Sequence, residues 1–143
     1  MRSRATVVVQ SFGDIEHLAH HMTDLMRKML QGGGLVCPNP AATDWTPAVD
    51  VSEADDHYEV VVELAGVGRE DLEVFTERGY LTVRGWRRDP TGPDKVRLHQ
   101  MEIEEGRFLR RVRLPEDIDE AGIEARLSDG LLRVRIPKAG PLA

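Results

Sequence analysis

The chain has 143 residues, of which 41% are hydrophobic and 31% charged, which is enough for one globular domain with an additional arm. Its formal net charge of −6 argues against a protein that binds nucleic acid, because phosphate contacts need clustered positive charge. The single cysteine excludes an intrachain disulfide and a zinc site built on several thiolates, and no apolar run is long enough to span a membrane.

Residues 1–44 differ from the rest of the chain in charge and pattern, and we assign them to an N-terminal arm. They carry four basic and four acidic side chains, so the whole net charge lies in the remaining residues. Val7, Val8 and Val9 are too short a run for the apolar part of a secretory signal, and we expect a soluble, cytoplasmic protein. Three glycines followed by two prolines indicate a linker that ends near Asp44.

Residues 12–30 have the period of an amphipathic helix. Ser11 and Asp14 resemble a capping box at its start, and the apolar side chains fall within an arc of roughly 140°. The part of this arc that we expect to contact other molecules, called the arm face below, comprises Phe12, Ile15, Leu18, Met22, Leu25, Met26 and Met29. Flexible methionines suit oligomer contacts or the capture of varied apolar partners. Packing on the chain's own core is the alternative, and membrane binding is disfavoured because the polar face is not rich in Lys and Arg.

From residue 45 the apolar period changes to two, which is typical of strands with one buried face. Turn signals rich in Gly, Pro and Asp separate about eight such segments. The first and last apolar positions of each segment, in chain order, are Val49 and Val51, Tyr58 and Leu64, Leu72 and Thr76, Leu81 and Val83, Val96 and Leu98, Phe108 and Leu114, Ile123 and Leu127, and Leu132 and Ile136. We therefore predict an all-β fold, a two-sheet antiparallel β-sandwich with no second helix.

Arg110 has the same parity as Phe108 and Val112, so alternation points its guanidinium toward the apolar side. A buried cation is costly unless it is paired. We therefore expect Arg110 to meet a carboxylate, in its own chain or across a subunit interface. A β-bulge that turns the side chain outward is the alternative.

Residues suited to catalysis or metal binding are few. His17, His20 and His21 have the spacing of metal ligands on one helix face, but they also form part of the polar face of the arm helix. Cys37 lies in the linker without an activating neighbour, no serine lies in a nucleophile elbow, and the linker glycines lack the lysine of a phosphate-binding loop. We expect no enzyme activity, no cofactor and no metal site.

Several segments within residues 45–138 together resemble the small heat-shock protein family, which has an α-crystallin-type domain. They are residues 45–53, 58–67, 81–85, 106–111 and, as the most specific stretch, 125–132 followed by 136–138. The resemblance implies an immunoglobulin-like sandwich whose building block is a homodimer, with larger homo-oligomers in some members. It also implies a chaperone that holds partly unfolded client proteins without ATP and prevents their aggregation.

In bacterial and plant-like members of this family, a loop carries a short strand that pairs with the partner subunit. By resemblance this exchange loop spans residues 86–105 here, and Arg110 matches an arginine that supports the dimer region. The residues expected at the dimer interface are Lys95, Val96, Arg97, Leu98, His99 and Arg110.

The family also has a groove between two edge strands, which usually accepts an Ile-x-Ile segment from a neighbour's C-terminal tail. The residues that would line it are Leu72, Val74, Thr76, Ile123, Ala125 and Leu127. The short tail at 139–143 has no such segment, so either the oligomer is small or another segment docks. Val7 and Val9 are one candidate, because alternate aliphatic residues suit edge-strand addition; a plain apolar patch is the other interpretation.

Two other functions compete with the chaperone hypothesis. A co-chaperone of the CS-domain type shares the sandwich but would act as a monomer that docks on one partner chaperone. An enzyme that uses the histidines of the arm would have to retain a metal ion. The exchange loop and the arm argue against the first, and the missing catalytic residues argue against the second.

Overall fold

The computed structural model describes residues 36–37 and 43–140. The predicted arm helix, Val7 and Val9 lie outside these residues. In the described part, seven strands and two short 3-10 helices follow one another. The strands are β1 (Val49–Glu53), β2 (His57–Glu63), β3 (Leu72–Glu77), β4 (Tyr80–Arg87), β5 (Gly106–Arg113), β6 (Glu124–Ser128) and β7 (Leu131–Pro137), and the 3-10 helices are Arg69–Asp71 and Glu120–Gly122.

The strands form two antiparallel sheets, one with the order β1-β2-β7-β6 and one with the order β3-β4-β5. Alternate residues of each strand point inward, as the period of two predicts. The most deeply buried side chains are Phe108, Leu64, Leu81, Leu132, Ile136, Val60, Val62, Val83 and Val112. Each of them contributes about 1.5–3 kcal/mol by leaving water. The predicted all-β sandwich is confirmed, and seven of the eight predicted strands are present.

The eighth predicted strand, at Val96 and Leu98, does not form within the single chain. Residues 88–105 join β4 to β5 without any strand, and Val96 is 100% exposed. A strand forms only where its backbone groups pair with a neighbouring strand, and within the described chain this segment has no such neighbour. Its pairing with a second subunit stays a prediction.

Contacts between the two sheets show which of their edge strands lie over each other. The chain just before β1 contacts β5: the Asp44 N–H donates to the Arg107 carbonyl oxygen over 2.9 Å, and Arg110 Nη1 donates to the Pro47 oxygen over 3.1 Å. Edge strand β1 therefore lies over edge strand β5. Because the sheets pack face to face, the other two edge strands, β3 and β6, lie on the opposite side. No helix within residues 36–37 and 43–140 is long and apolar enough to cross a membrane.

Candidate interaction surfaces

The side of the sandwich between β3 and β6, called the open side below, carries all six residues that the family resemblance assigns to a groove. Both strands are sheet edges with no strand beyond them in the described chain. Leu72, Val74, Thr76, Ala125 and Leu127 are half-buried, and Ile123 is buried. The four apolar side chains among the half-buried residues pack against the core from this side.

The register explains why these residues share one side. Val74 lies opposite Val83 of β4, and Leu127 lies opposite Leu132 of β7, so each edge residue continues a row of inward-facing side chains. An apolar row beside a free strand edge offers both side-chain contacts and unpaired backbone groups to an extended segment. The open side can therefore receive an extended apolar peptide.

The exchange loop presents a second apolar surface. Its exposed large hydrophobic side chains are Trp86, Val96, Leu98, Met101 and Ile103. Five such side chains within eighteen residues form a cluster, whereas scattered single ones are ordinary on protein surfaces. The loop is thus the part of the described chain with most to gain from burial against another molecule.

Polar contacts hold the first half of this loop in place. Arg88 donates two hydrogen bonds to the Asp71 carboxylate, at 2.8 and 3.1 Å, and this pairing lowers the pKa of Asp71. Asp89 accepts from the Thr91 N–H over 2.9 Å and from the Lys95 ammonium. These hydrogen bonds, with that from Lys95 first in importance, lower the pKa of Asp89 to about 2. Lys95, one of the predicted interface residues, is thus already paired within its own chain.

Arg110 lies opposite Val83, so its side chain faces inward as alternation predicts, without a bulge. It contacts a backbone carbonyl, that of Pro47, and its Nε is buried without a hydrogen-bond partner in the described part of the chain. Burial lowers the pKa of Arg110. Among residues 36–37 and 43–140 no carboxylate pairs with Arg110, whose Nη1 bonds to the Pro47 carbonyl instead; pairing across a subunit interface stays a prediction.

The side of the sandwich between β1 and β5 is closed by a cluster that the sequence did not reveal. We call it the arm-base cluster; it comprises Asp44, Trp45, Arg87, Gly106 and Arg107. Trp45 is only 5% exposed, and its indole Nε1 donates to the Gly106 carbonyl oxygen over 2.9 Å. The Arg87 guanidinium carbon lies 3.7 Å from the centre of the Trp45 ring, a cation–π contact.

Asp44 completes this cluster from the other face. Its Oδ2 accepts from the Arg107 backbone N–H over 2.7 Å, and this hydrogen bond is the main cause of the lowered pKa of Asp44. Gly106 has a φ of 104°, a conformation that other residues rarely adopt. A Cβ at Gly106 would lie 2.5 Å from Asp44 Oδ2, so the close approach of the two segments requires glycine.

The segment before the cluster also follows the edge of β5. Val36 forms an isolated bridge with Val112, and the Cys37 N–H donates to the Arg111 carbonyl oxygen over 3.0 Å. The linker predicted from glycines and prolines is therefore anchored to the sheet at two points. Trp45 begins the segment 45–53 that resembles the family, but no sequence pattern pointed to its contact with Gly106 or to Arg87.

The remaining predicted sites lie beyond the described residues. Every residue of the arm face, and the three histidines of the arm, fall outside residues 36–37 and 43–140. Among the residues that the structure does describe, no three His, Cys, Asp or Glu side chains are grouped so that they could hold a metal ion.

Comparison with known protein families adds to this geometry. The family model that matches is that of the Hsp20/alpha crystallin family, over residues 50–142. This range begins inside β1 and runs through all the other strands, so the matched segment is the sandwich itself.

Individual proteins agree with the family match. A heat shock protein of Dictyostelium discoideum is 30% identical over 135 residues, 90% of this chain and 31% of its own length. Heat shock protein 16 of Schizosaccharomyces pombe is 36% identical over 104 residues, 70% of this chain and 71% of its own length. The chain spans between about one third and three fifths of the first curated relatives that it matches.

A solved structure matches the fold. The crystal structure of a small heat-shock protein from Xylella fastidiosa superposes with a TM-score of 0.65 at 31% identity, and the match covers 70% of this chain and 92% of that one. That crystal structure reveals a distinct high order structure for the Xylella protein. The sandwich and its two-sheet arrangement are therefore shared with solved proteins of this kind.

Proposed function

The chain belongs to the Hsp20/alpha crystallin family, and from this premise we propose that it holds partly unfolded client proteins without ATP and prevents their aggregation. The observation that carries the proposal is the match of the family model to residues 50–142, because it covers the whole sandwich rather than one short motif. The family consists of small heat-shock proteins, which are chaperones rather than enzymes.

The arm face is the first surface that we assign to clients. Its seven apolar residues occupy one side of the predicted helix, and three of them are methionines. A large aliphatic side chain gains about 1.5–3 kcal/mol when it is buried, so a few contacts hold an unfolded chain without sequence specificity. The net charge of −6 keeps the resulting complex dispersed by self-repulsion.

The exchange loop is the surface that we assign to a second copy of the chain. Its apolar cluster is exposed in the single chain, and its unpaired segment from Lys95 to His99 has the length of a short strand. The edge strand β1 has a free side, since within the described chain it pairs only with β2. Addition of the partner's loop segment to that edge would pair both sets of backbone groups and bury the loop.

The open side is the surface that we assign to an extended segment of a neighbouring subunit. The half-buried apolar row of Leu72, Val74 and Leu127 suits alternate aliphatic residues. Val7 and Val9 have that spacing and are our candidate occupants. Docking there would link dimers into larger homo-oligomers.

The chaperone activity is tested by heating an aggregation-prone client protein with the full chain, without ATP, and recording light scattering. We expect scattering to fall as the chain approaches equimolar amounts. Leu18→Asp and Met22→Asp place charges on the arm face and are expected to weaken this protection. His21→Asp places the same charge on the polar face of the same helix and is the matched control. Equal protection by all three variants contradicts the role of the arm face, and scattering that the wild-type chain leaves unchanged contradicts the chaperone proposal.

A further inference from the structure

Arg87, the last residue of β4, contacts three separate segments of the chain. Its Nε donates to the Glu104 carbonyl oxygen over 2.7 Å, and its Nη1 donates to the Ala65 carbonyl oxygen over 3.3 Å. Its guanidinium also lies on the Trp45 ring. One side chain thus joins the first end of the exchange loop to the second end, and both to the base of the arm.

The second end of the loop is held by the same cluster. Gly106 and Arg107, which follow the loop, bond to Trp45 and Asp44 through the contacts described above. Trp45 in turn packs edge-on against Phe108, with ring centres 5.4 Å apart. The two ends of the loop and the last residues of the arm therefore converge on one tryptophan that is anchored in the core.

We propose that Arg87 is a positioning residue for the assembly of the chain: it fixes the direction in which the exchange loop leaves the sandwich and couples that direction to the arm. The proposal rests on the dimer proposed above. Arg87 is placed here by its contacts within one chain and does not belong to the predicted interface residues.

The physical reason is the entropy of the loop. Fixing a loop of eighteen residues without a strand in one conformation on binding costs free energy. Contacts that hold both ends of the loop against the buried Trp45 ring reduce this cost before the second subunit binds. A displacement of Asp44 or Trp45 would loosen the same ends, because both residues bond to the segment that follows the loop.

The test uses the full chain and three variants, with sedimentation velocity to find the concentration at which half of the assembly dissociates. Arg87→Met keeps the aliphatic stem and removes the hydrogen bonds, and we expect this concentration to rise about tenfold. Arg87→Lys keeps the charge and should recover part of the loss. Arg84→Met is the matched control: Arg84 lies on the same strand, bonds to Glu73 over 2.7 Å and covers Phe75, but it touches neither the arm base nor the loop.

Urea unfolding of each variant separates positioning from stability. The sedimentation measurements are made at a temperature at which all variants are fully folded. A residue that contributes only to folding stability then leaves the concentration of half dissociation unchanged. An Arg87→Met chain that dissociates at the wild-type concentration overturns the role of Arg87 while the dimer stands. A wild-type chain that is monomeric at every concentration overturns the dimer itself, and the role of Arg87 falls with it.

Discussion

The two sides of this sandwich differ in how the gap between the two sheets is filled. On the side of β1 and β5, the gap between the sheets is closed by a buried tryptophan, by a hydrogen bond that Asp44 accepts, and by hydrogen bonds that Arg87 and Arg110 donate. On the open side, β3 and β6 face each other with half-buried apolar side chains. The first side uses directed polar contacts, and the second leaves apolar surface that another segment can cover.

This difference separates stability from recognition. Directed contacts to a buried ring fix one geometry, and their loss leaves polar groups without partners. A half-buried row of apolar side chains contains no polar groups that need partners, so leaving it uncovered costs little stability. Covering it with a docked segment removes apolar surface from water and gains free energy. A protein that must remain folded while exposing apolar surface needs both kinds of contact, and here they lie on opposite sides of one core.

The largest expected effect comes from removing the ring that closes the first side. Trp45→Ala should lower the free energy of unfolding by about 3–5 kcal/mol, because it empties a buried site and breaks the bond to Gly106. Trp86→Ala is the matched control, since Trp86 is 48% exposed, and should change stability by less than about 1 kcal/mol. Urea unfolding of both chains measures the difference, and equal losses would remove the distinction between the two regions.

A smaller effect is expected at Gly106, whose backbone lies close to Asp44 on the side of β1 and β5, called the closed side below. Gly106→Ala should cost about 2–3 kcal/mol, because the added Cβ both strains a positive φ and displaces the Asp44 carboxylate. Gly79→Ala is the control: its φ is 80° with open space around the Cβ position, so only about 1 kcal/mol of backbone cost is expected. If Asp44→Ala restores part of the loss in a Gly106→Ala background, the collision with Asp44 is the cause.

The strands follow from a periodic pattern in the sequence, whereas contacts between distant segments do not. The period of two placed seven strands, because alternation fixes which side chains point inward. The six groove residues came from the resemblance to the family, and sheet pairing explains why they lie on one side. The eighth strand of the periodic pattern, at Val96, has no neighbouring strand in the described part of the chain, so that strand stays a prediction. The pattern gave no sign of Arg87, whose contacts with Ala65, Trp45 and Glu104 depend on how three distant segments meet in space.

The open side is tested by a pair of leucines that face each other across β6 and β7. Leu127→Ala, on the groove side, should lower the free energy of unfolding by only about 1 kcal/mol, because the half-buried side chain leaves little cavity. Leu132→Ala, its register partner in the core, should cost about 2–5 kcal/mol. Chemical denaturation compares the two. A Leu127→Ala chain that loses as much as Leu132→Ala would show that the groove residue serves the core rather than an exposed surface.

The smallest expected effect is a pH dependence confined to the closed side. The Arg107 backbone N–H lowers the pKa of Asp44 below its usual value of 3.8, so the folded state favours the ionised carboxylate. The stabilisation from Asp44 is therefore complete above that value and is lost as the pH falls through the lower folded pKa. Thermal unfolding from pH 7 to pH 2 should show wild type melting above Asp44→Asn near neutrality, with the difference shrinking as the pH falls below the usual pKa of 3.8. The six groove residues carry no ionisable side chain, so the difference between wild type and Leu127→Ala should stay constant over the same range. A parallel pH dependence in both comparisons would mean that acid weakens the sandwich as a whole rather than the contacts that close one side of it.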